Sequence, residues 1–265
     1  MWRFSANLTT LWTALPLERR VAAAAAAGFG AIECAYPYEH DAPRLRRAAR
    51  EAGVAWCMIN LPAGDRDQGE RGLACRPGRA AAFRDSVETG LRVAEILGVQ
   101  RLTCMVGRSE PHEDRGELWQ IAVDRLRWAG ARLAEHGLEL QVEALNPHDA
   151  PGFLIQRPEE ALALADEVAL PSVRVQFDAY HALRTETDVL AALRASTPRL
   201  GHVHLADVPD RAVPGTGTLP VAAVLALLDD LGYGGGVGLE YAVEAPDAST
   251  FAWLEPWRRH LGGDA

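Results

Sequence analysis

Four strand-like runs in this 265-residue chain each end in a side chain that can hold a metal ion. Residues 138–143 end in Glu143, 173–178 in Asp178, 200–204 in His204 and 236–240 in Glu240. Three carboxylates and one imidazole make a mostly hard donor set, suited to a divalent cation. Carboxylates gathered without such an ion repel one another, and the ion removes that cost. Each residue alone has an ordinary alternative: a solvated glutamate, an ion-pair partner, a hydrogen-bonded core histidine. His202 lies two residues before His204, faces the same side of its strand and competes with it as a ligand. The functional reading rests on the set, because the four residues close the fifth to eighth of eight successive strands.

Further candidates lie near those strand ends. His181 follows Asp178-Ala179-Tyr180, within reach of a substrate or of a neighbouring carboxylate. Arg211 lies in the loop after the seventh strand, and Arg66 and Arg71 in the loop after the third. Any of these guanidiniums can grip a carboxylate through two parallel hydrogen bonds. Trp12, Trp56 and Tyr241 are better suited to core packing than to walling a pocket.

The elements that must position these residues alternate regularly. Strands are expected at 3–7, 31–35, 54–60, 101–105, 139–143, 173–178, 200–206 and 236–241. Helices are expected at 17–27, 42–52, 79–97, 117–136, 158–168, 188–196, 220–231 and 250–261. Gly28, Gly53, Gly98, Gly137 and Gly232 each follow a helical run, as left-handed C-terminal caps do. The strands are read as continuous apolar runs, as when both sheet faces are covered. Eight β-then-α units, one about every thirty residues, fit a single (β/α)₈ TIM barrel covering residues 1–265 as one α/β domain. An open doubly wound sheet usually carries a glycine-rich loop after its first strand, and here Asn7-Leu8-Thr9-Thr10 stands there. Barrels do their chemistry at the C-terminal ends of strands. The long connections 61–78, 144–157 and 207–219 all leave such ends.

Composition narrows the chemistry. The net charge of −9 argues against a nucleic-acid surface, which needs a basic stripe. The chain contains no lysine, so Schiff-base catalysis is excluded. Cys34, Cys57, Cys75 and Cys104 form no CxxC pair and no metal spacing. No signal-peptide core or membrane-spanning run stands out, so a cytoplasmic protein without membrane contacts is expected. P-loop, GxSxG and HExxH motifs are absent from the sequence.

Several segments together resemble the hydroxypyruvate isomerase family of the xylose-isomerase-like TIM barrels. They are Phe4-Ser5-Ala6-Asn7-Leu8, Asn60-Leu61-Pro62-Ala63-Gly64-Asp65, Gly69-Glu70-Arg71-Gly72-Leu73-Ala74-Cys75, Glu143-Ala144-Leu145-Asn146, Asp149-Ala150-Pro151-Gly152, Gln176-Phe177-Asp178-Ala179-Tyr180-His181, Gly201-His202-Val203-His204-Leu205-Ala206-Asp207 and Pro214-Gly215-Thr216-Gly217. The resemblance implies Glu143 and Glu240 as the proton-transfer pair. It also implies Glu143, Asp178, His204 and Glu240 as ligands of Mg²⁺ or Mn²⁺. Asn7, Arg71, His181 and Arg211 are then the candidate substrate-binding residues. Three loops depart from the pattern: Thr218 stands where a glutamate is common, Ala242 and Val243 where a lysine is common, and Leu183 where a glutamine is common.

The activity so implied is aldose–ketose isomerisation of a small hydroxy-oxo acid or sugar, within carbohydrate and glyoxylate metabolism. Hydroxypyruvate, converting to 2-hydroxy-3-oxopropanoate (tartronate semialdehyde) through an enediolate, is the leading substrate. A tagatose/psicose-type ketose 3-epimerase would use the same groups but make both proton transfers at one carbon. A non-catalytic metabolite-binding barrel is the alternative from another class, motivated by the three departures. A DNA-repair endonuclease fits poorly, since it needs a histidine-rich zinc cluster and a basic face. Relatives are commonly dimers or tetramers, so a homo-oligomer is compatible with the resemblance.

Overall fold

The alternating runs close into a cylinder. The structure is a computed structural model that describes residues 3–65, 67–185 and 187–261. The strands are β1 (Arg3–Asn7), β2 (Ala31–Cys34), β3 (Ala55–Asn60), β4 (Arg101–Cys104), β5 (Glu139–Glu143), β6 (Val173–Asp178), β7 (Leu200–Leu205) and β8 (Gly236–Leu239). They pair in sequence order, all parallel, and β8 returns to β1 to close the barrel. The helices are α1 (Leu17–Ala26), α2 (Ala42–Ala52), α3 (Ala80–Leu97), α4 (Arg115–Ala134), α5 (Pro158–Val168), α6 (Ala179–Leu183), α7 (Val189–Ser196) and α8 (Val221–Asp230).

Local sequence accounts for most boundaries. Asp114 accepts from the backbone N–H groups of Gly116 and Glu117, so α4 starts at Arg115, two residues before the expected 117. Gly53 and Gly98 end α2 and α3 with φ of 71° and 80°, where a Cβ would be penalised. The short α6 was not expected; Asp178, the last residue of β6, caps it directly. The last expected α-helix is instead a 3-10 segment, Ala248–His260, with non-helical dihedrals at Trp257. Pro256 inside it offers no N–H and obstructs a preceding carbonyl. The segment lays Phe251 against Trp12 and Phe29, with ring centroids 5.6 and 5.3 Å apart, and Trp253 against Phe4. Trp12, Trp56 and Tyr241 are buried in the core as expected.

The expectation of continuous apolar strands is corrected. Outward positions such as Phe4, Ile32, Leu102, Val142, Phe177, Val203 and Val237 are apolar and buried against the helices. The lumen is polar: Ser5, Asn7, Glu33, Thr103, Gln141, Glu143, Gln176, Asp178, His202 and His204 are all buried. Register aligns them across the barrel, pairing Thr103 with Gln141, Glu143 with Gln176, and Asp178 with His204. Hydrogen bonds then span the interior, as Thr103 Oγ1 donates to Gln176 Oε1 at 2.5 Å. Buried polar groups persist only where they find such partners.

The long connections meet at the C-terminal mouth. Bridges join Gly72 to Val106 and Arg108 to Phe153, tying the loops after β3, β4 and β5 to one another. Gly72 has φ of 122°, and a Cβ there would fall 2.1 Å from the Met105 carbonyl oxygen. Gly72→Ala is therefore expected to cost about 1–3 kcal/mol or more of strain. A shift of the urea midpoint to lower concentration measures it; an unchanged midpoint would show that the loop relaxes freely.

Candidate active site at the C-terminal mouth of the barrel

Glu143 and Asp178 are the last residues of β5 and β6, His204 is the penultimate residue of β7, and Glu240 directly follows β8. One ligand atom from each lies within 4.8 Å of the others. The first three are almost wholly buried and Glu240 is half-buried. His204 Nδ1 is 3.3 Å from Glu240 Oε2 and 3.8 Å from Glu143 Oε1. Asp178 divides its work: Oδ1 accepts from the backbone N–H groups of Tyr180 and His181, at 2.8 and 3.3 Å, which leaves Oδ2 for the site.

The expected residues largely converge. Arg211 Nη1 donates to Glu240 Oε2 at 2.6 Å and to Asp178 Oδ2 at 3.1 Å. Its guanidinium stacks on Tyr180, 4.7 Å from the ring centroid. Asn7 Nδ2 lies 3.3 Å from Glu240 Oε1 and 3.0 Å from Glu33 Oε1. The loop that carries Arg211 is tied down by buried Asp207. One oxygen of Asp207 accepts from Val208 and Leu219 N–H, the other from Gly215 and Gly217 N–H, all at 2.9 Å. Arg71 donates to the Glu70 carbonyl at 3.1 Å and lines a hollow with Glu39, Gly64, Asp65 and Asp67. Arg66 lies outside the described residues. His202 does not join the four; its Nε2 pairs with Glu33 Oε2 at 2.9 Å.

His181 has a definable protonation pattern. Asn146 Oδ1 accepts from His148 and Asp149 N–H, both at 3.0 Å, which fixes the orientation of its amide. The Asn146 backbone N–H and Nδ2 then both donate to His181 Nδ1, at 3.1 and 2.6 Å. Burial pushes the His181 pKa down, against the pull of Asp178. A neutral His181 thus carries its proton on Nε2. That nitrogen sits 2.7 Å from Arg211 Nη2, which is also a donor. Asp178 Oδ2 lies 3.8 Å from the same nitrogen, and no oxygen fits between the two donors, so a further acceptor has to approach from beside them.

The acids are driven apart. Burial and the Glu240 charge push Glu143 up to about 8. Burial also opposes ionisation of Glu240, but Arg211 and His204 outweigh it and bring the group down to about 2. Burial works against charge on His204, yet Glu33 and Glu240 raise its pKa well above the usual histidine range. Environments that separate two acids in this way are typical of functional sites. Glu143 Oε1 is buried without a hydrogen-bond partner among the described residues. An orphaned carboxylate oxygen inside a ring of two more carboxylates and an imidazole fits a hard divalent cation.

Comparison with known proteins gives the family. Residues 21–259 match the family described as xylose isomerase-like TIM barrel. The chain belongs to that family. It is 35% identical to a 2-oxo-tetronate isomerase of Cupriavidus necator, over 97% of this chain and 99% of that protein. It is 33% identical to the hydroxypyruvate isomerase of Escherichia coli, over 97% of this chain and all of that protein. Among solved structures, a Brucella melitensis protein described as an AP endonuclease, family 2, superposes with a TM-score of 0.93 at 36% identity, covering 97% of this chain and all of that one. The D-psicose 3-epimerase of Clostridium cellulolyticum H10, at 22% identity and a TM-score of 0.76 over 94% of this chain and 88% of that one, shares the fold. The chain is accordingly an enzyme of the family, an isomerase resembling the hydroxypyruvate isomerases.

Three site residues escaped the sequence reading. Glu33 is a lone acid in the apolar run Ala31-Ile32-Glu33-Cys34, which is the signal that could have marked it. Asn146 and Tyr180 carry no such mark, because only the folded loops bring them to His181 and Arg211.

Proposed function

We propose that this protein is a metal-dependent isomerase of small 2-oxo acids that bear a neighbouring hydroxyl group, with hydroxypyruvate to 2-hydroxy-3-oxopropanoate as the leading reaction. The observation that carries the reading is the convergence of two different half-sites. Glu143, Asp178, His204 and Glu240 form a hard donor set. Beside it, Arg211 Nη2 and His181 Nε2 lie 2.7 Å apart, a donor pair that one oxygen approaching from the side would satisfy. The first half suits a carbonyl and its adjacent hydroxyl, and the second suits a carboxylate. The names of the curated relatives, hydroxypyruvate isomerase and 2-oxo-tetronate isomerase, support the same substrate class.

Glu143, Asp178, His204 and Glu240 would hold Mg²⁺ or Mn²⁺. Such an ion, when bound, supplies Lewis-acid polarisation of the substrate oxygens, worth several kcal/mol. The chain's own groups do the rest. Arg211 and His181 fix the substrate by its carboxylate. One glutamate removes the hydrogen on C3, giving a planar enediolate, and the other delivers a proton to C2. Balance also requires the C3 hydroxyl proton to move to the former C2 carbonyl oxygen.

Chelator-treated protein should lose turnover of hydroxypyruvate, and Mg²⁺ or Mn²⁺ should restore it. Turnover in deuterated water should place deuterium at C2 of the product. Full activity after complete removal of metal would sink the metal-dependent reading. Faster turnover of free tagatose or fructose, with exchange confined to C3 of the sugar, would reassign the protein as a ketose 3-epimerase.

A further inference from the structure

Glu33 lies in the lumen below the four-residue set, with no exposed surface. Its Oε2 receives Ser5 Oγ and His202 Nε2, both at 2.9 Å. Its Oε1 receives Asn7 Nδ2 at 3.0 Å and lies 2.8 Å from His204 Nε2, a close contact that is bent rather than in line. The Cys57 thiol stands 3.8 Å from Oε2. Groups from β1, β3 and β7 thus converge on one carboxylate of β2. Strand β8 leaves room for it: a Cβ on Gly238 would fall 2.4 Å from Glu33 Oε1 and 2.6 Å from His204 Cδ2. A Cβ on Gly236 would fall 2.8 Å from the His202 ring.

We propose that Glu33 is a positioning residue of the active site, which turns Nε2 of His204 away from the acids, presents Nδ1 to them, and steadies Glu240 through Asn7. The proposal rests on the reading of the site as metal-dependent. The two nitrogens of an imidazole are distinct, and the partner of one decides what the other can do. Nδ1 of His204 faces Glu240 and Glu143, while Nε2 faces Glu33. A carboxylate behind a ligating histidine fixes the ring and raises the basicity of the ligating nitrogen. Asn7 extends the same hold, since its Nδ2 touches both Glu33 Oε1 and Glu240 Oε1. The arrangement also explains two histidines of which one reaches the mouth. His202 pairs level with Gly236, saturates Oε2, and has no partner for Nδ1 among the described residues.

A merely structural Glu33 would only satisfy buried donors, and its loss would change stability without touching metal binding. Glu33→Gln separates the two. The variant is expected to fold, because His202 can move its proton to the unpartnered Nδ1 and accept from the new amide. His204 keeps an oxygen partner but loses the charge behind it. Calorimetric titration of the full chain with Mg²⁺ and with Mn²⁺ should then show affinity weakened by about 10–100-fold relative to wild type. Nitrogen-15 spectra of histidine-labelled wild type, loaded with Mg²⁺ and assigned through His204→Asn, provide a variant-independent check. They should place the His204 proton on Nε2 and leave Nδ1 unprotonated. Affinity of Glu33→Gln within about twofold of wild type, well short of the expected loss, overturns the proposal. So does a His204 proton found on Nδ1. Should the variant not fold, the wild-type spectrum decides alone. Wild type that takes up neither ion overturns the metal-dependent reading and this inference with it; wild type that binds, beside an unaffected variant, overturns this inference only.

Discussion

Glu143→Gln and Glu240→Gln should each lower turnover by about 10²–10⁴-fold at saturating metal and substrate, the usual worth of a positioned general acid or base. Glutamine keeps the shape and one ligand oxygen but cannot carry the proton between carbons. Solvent-deuterium incorporation at C2 should fall in parallel. A folded double variant with normal turnover would refute the assignment. The same substitution has a second, opposite signature on stability. Glu143 is buried beside Glu240 and Asp178, and its pKa is raised from 4.5 to about 8. A carboxyl with a raised folded-state pKa favours folding fully at low pH, and that contribution is lost as pH rises through the folded value. Metal-stripped wild type should therefore lose stability between about pH 4.5 and 8, and Glu143→Gln should lose less over the same window. Urea unfolding of both proteins at pH 5 and pH 8 measures the difference. Equal pH dependence in the two would show that Glu143 is not the strained acid. Added Mg²⁺ should erase the difference by stabilising the ionised carboxylate.

The barrel was legible because its signals are local. Glycine caps, proline at the start of α5, and β-rich runs at regular spacing each act within a few residues. Two helices, α2 and α5, begin and end at the expected residues. The final 3-10 segment was read as an α-helix in spite of Pro256, and its packing of Phe251 on Trp12 and Phe29 has no local sequence mark. The polar lumen was missed for a different reason. β5 and β6 were read as continuous apolar runs although they alternate, and only closure of the sheet makes every second residue an interior one. The four ligand candidates were readable because strand ends are marked in the sequence. Their supports were not. Glu33 reaches His204 from 171 positions away in the chain, Asn146 meets His181 across a loop, and Asp207 anchors Arg211 through backbone donors. Such contacts follow from the closed geometry and have no local periodicity.

Arg211→Gln should separate acidic from neutral substrates. The guanidinium is half-buried, held by Asp178 and Glu240, and directed with its second nitrogen toward His181. A substrate carboxylate placed there would accept from Arg211 and from the Nε2–H of His181, which would end the donor-to-donor contact between them. Removing one partner of a desolvated charge pair costs about 2–5 kcal/mol, or roughly 30- to several-thousand-fold in kcat/KM. Hydroxypyruvate should suffer that loss, mostly in KM, because the carboxylate is held equally before and during proton transfer. A neutral ketose offers no charge to pair and should lose far less. Arg211→Lys should recover only part of the loss, since an ammonium cannot reproduce the planar fork. Two readings of the arginine are thereby distinguished. If it merely neutralises Asp178 and Glu240, both substrate classes decline together and added metal compensates. If it seats a carboxylate, the decline follows the charge of the substrate and metal does not restore it.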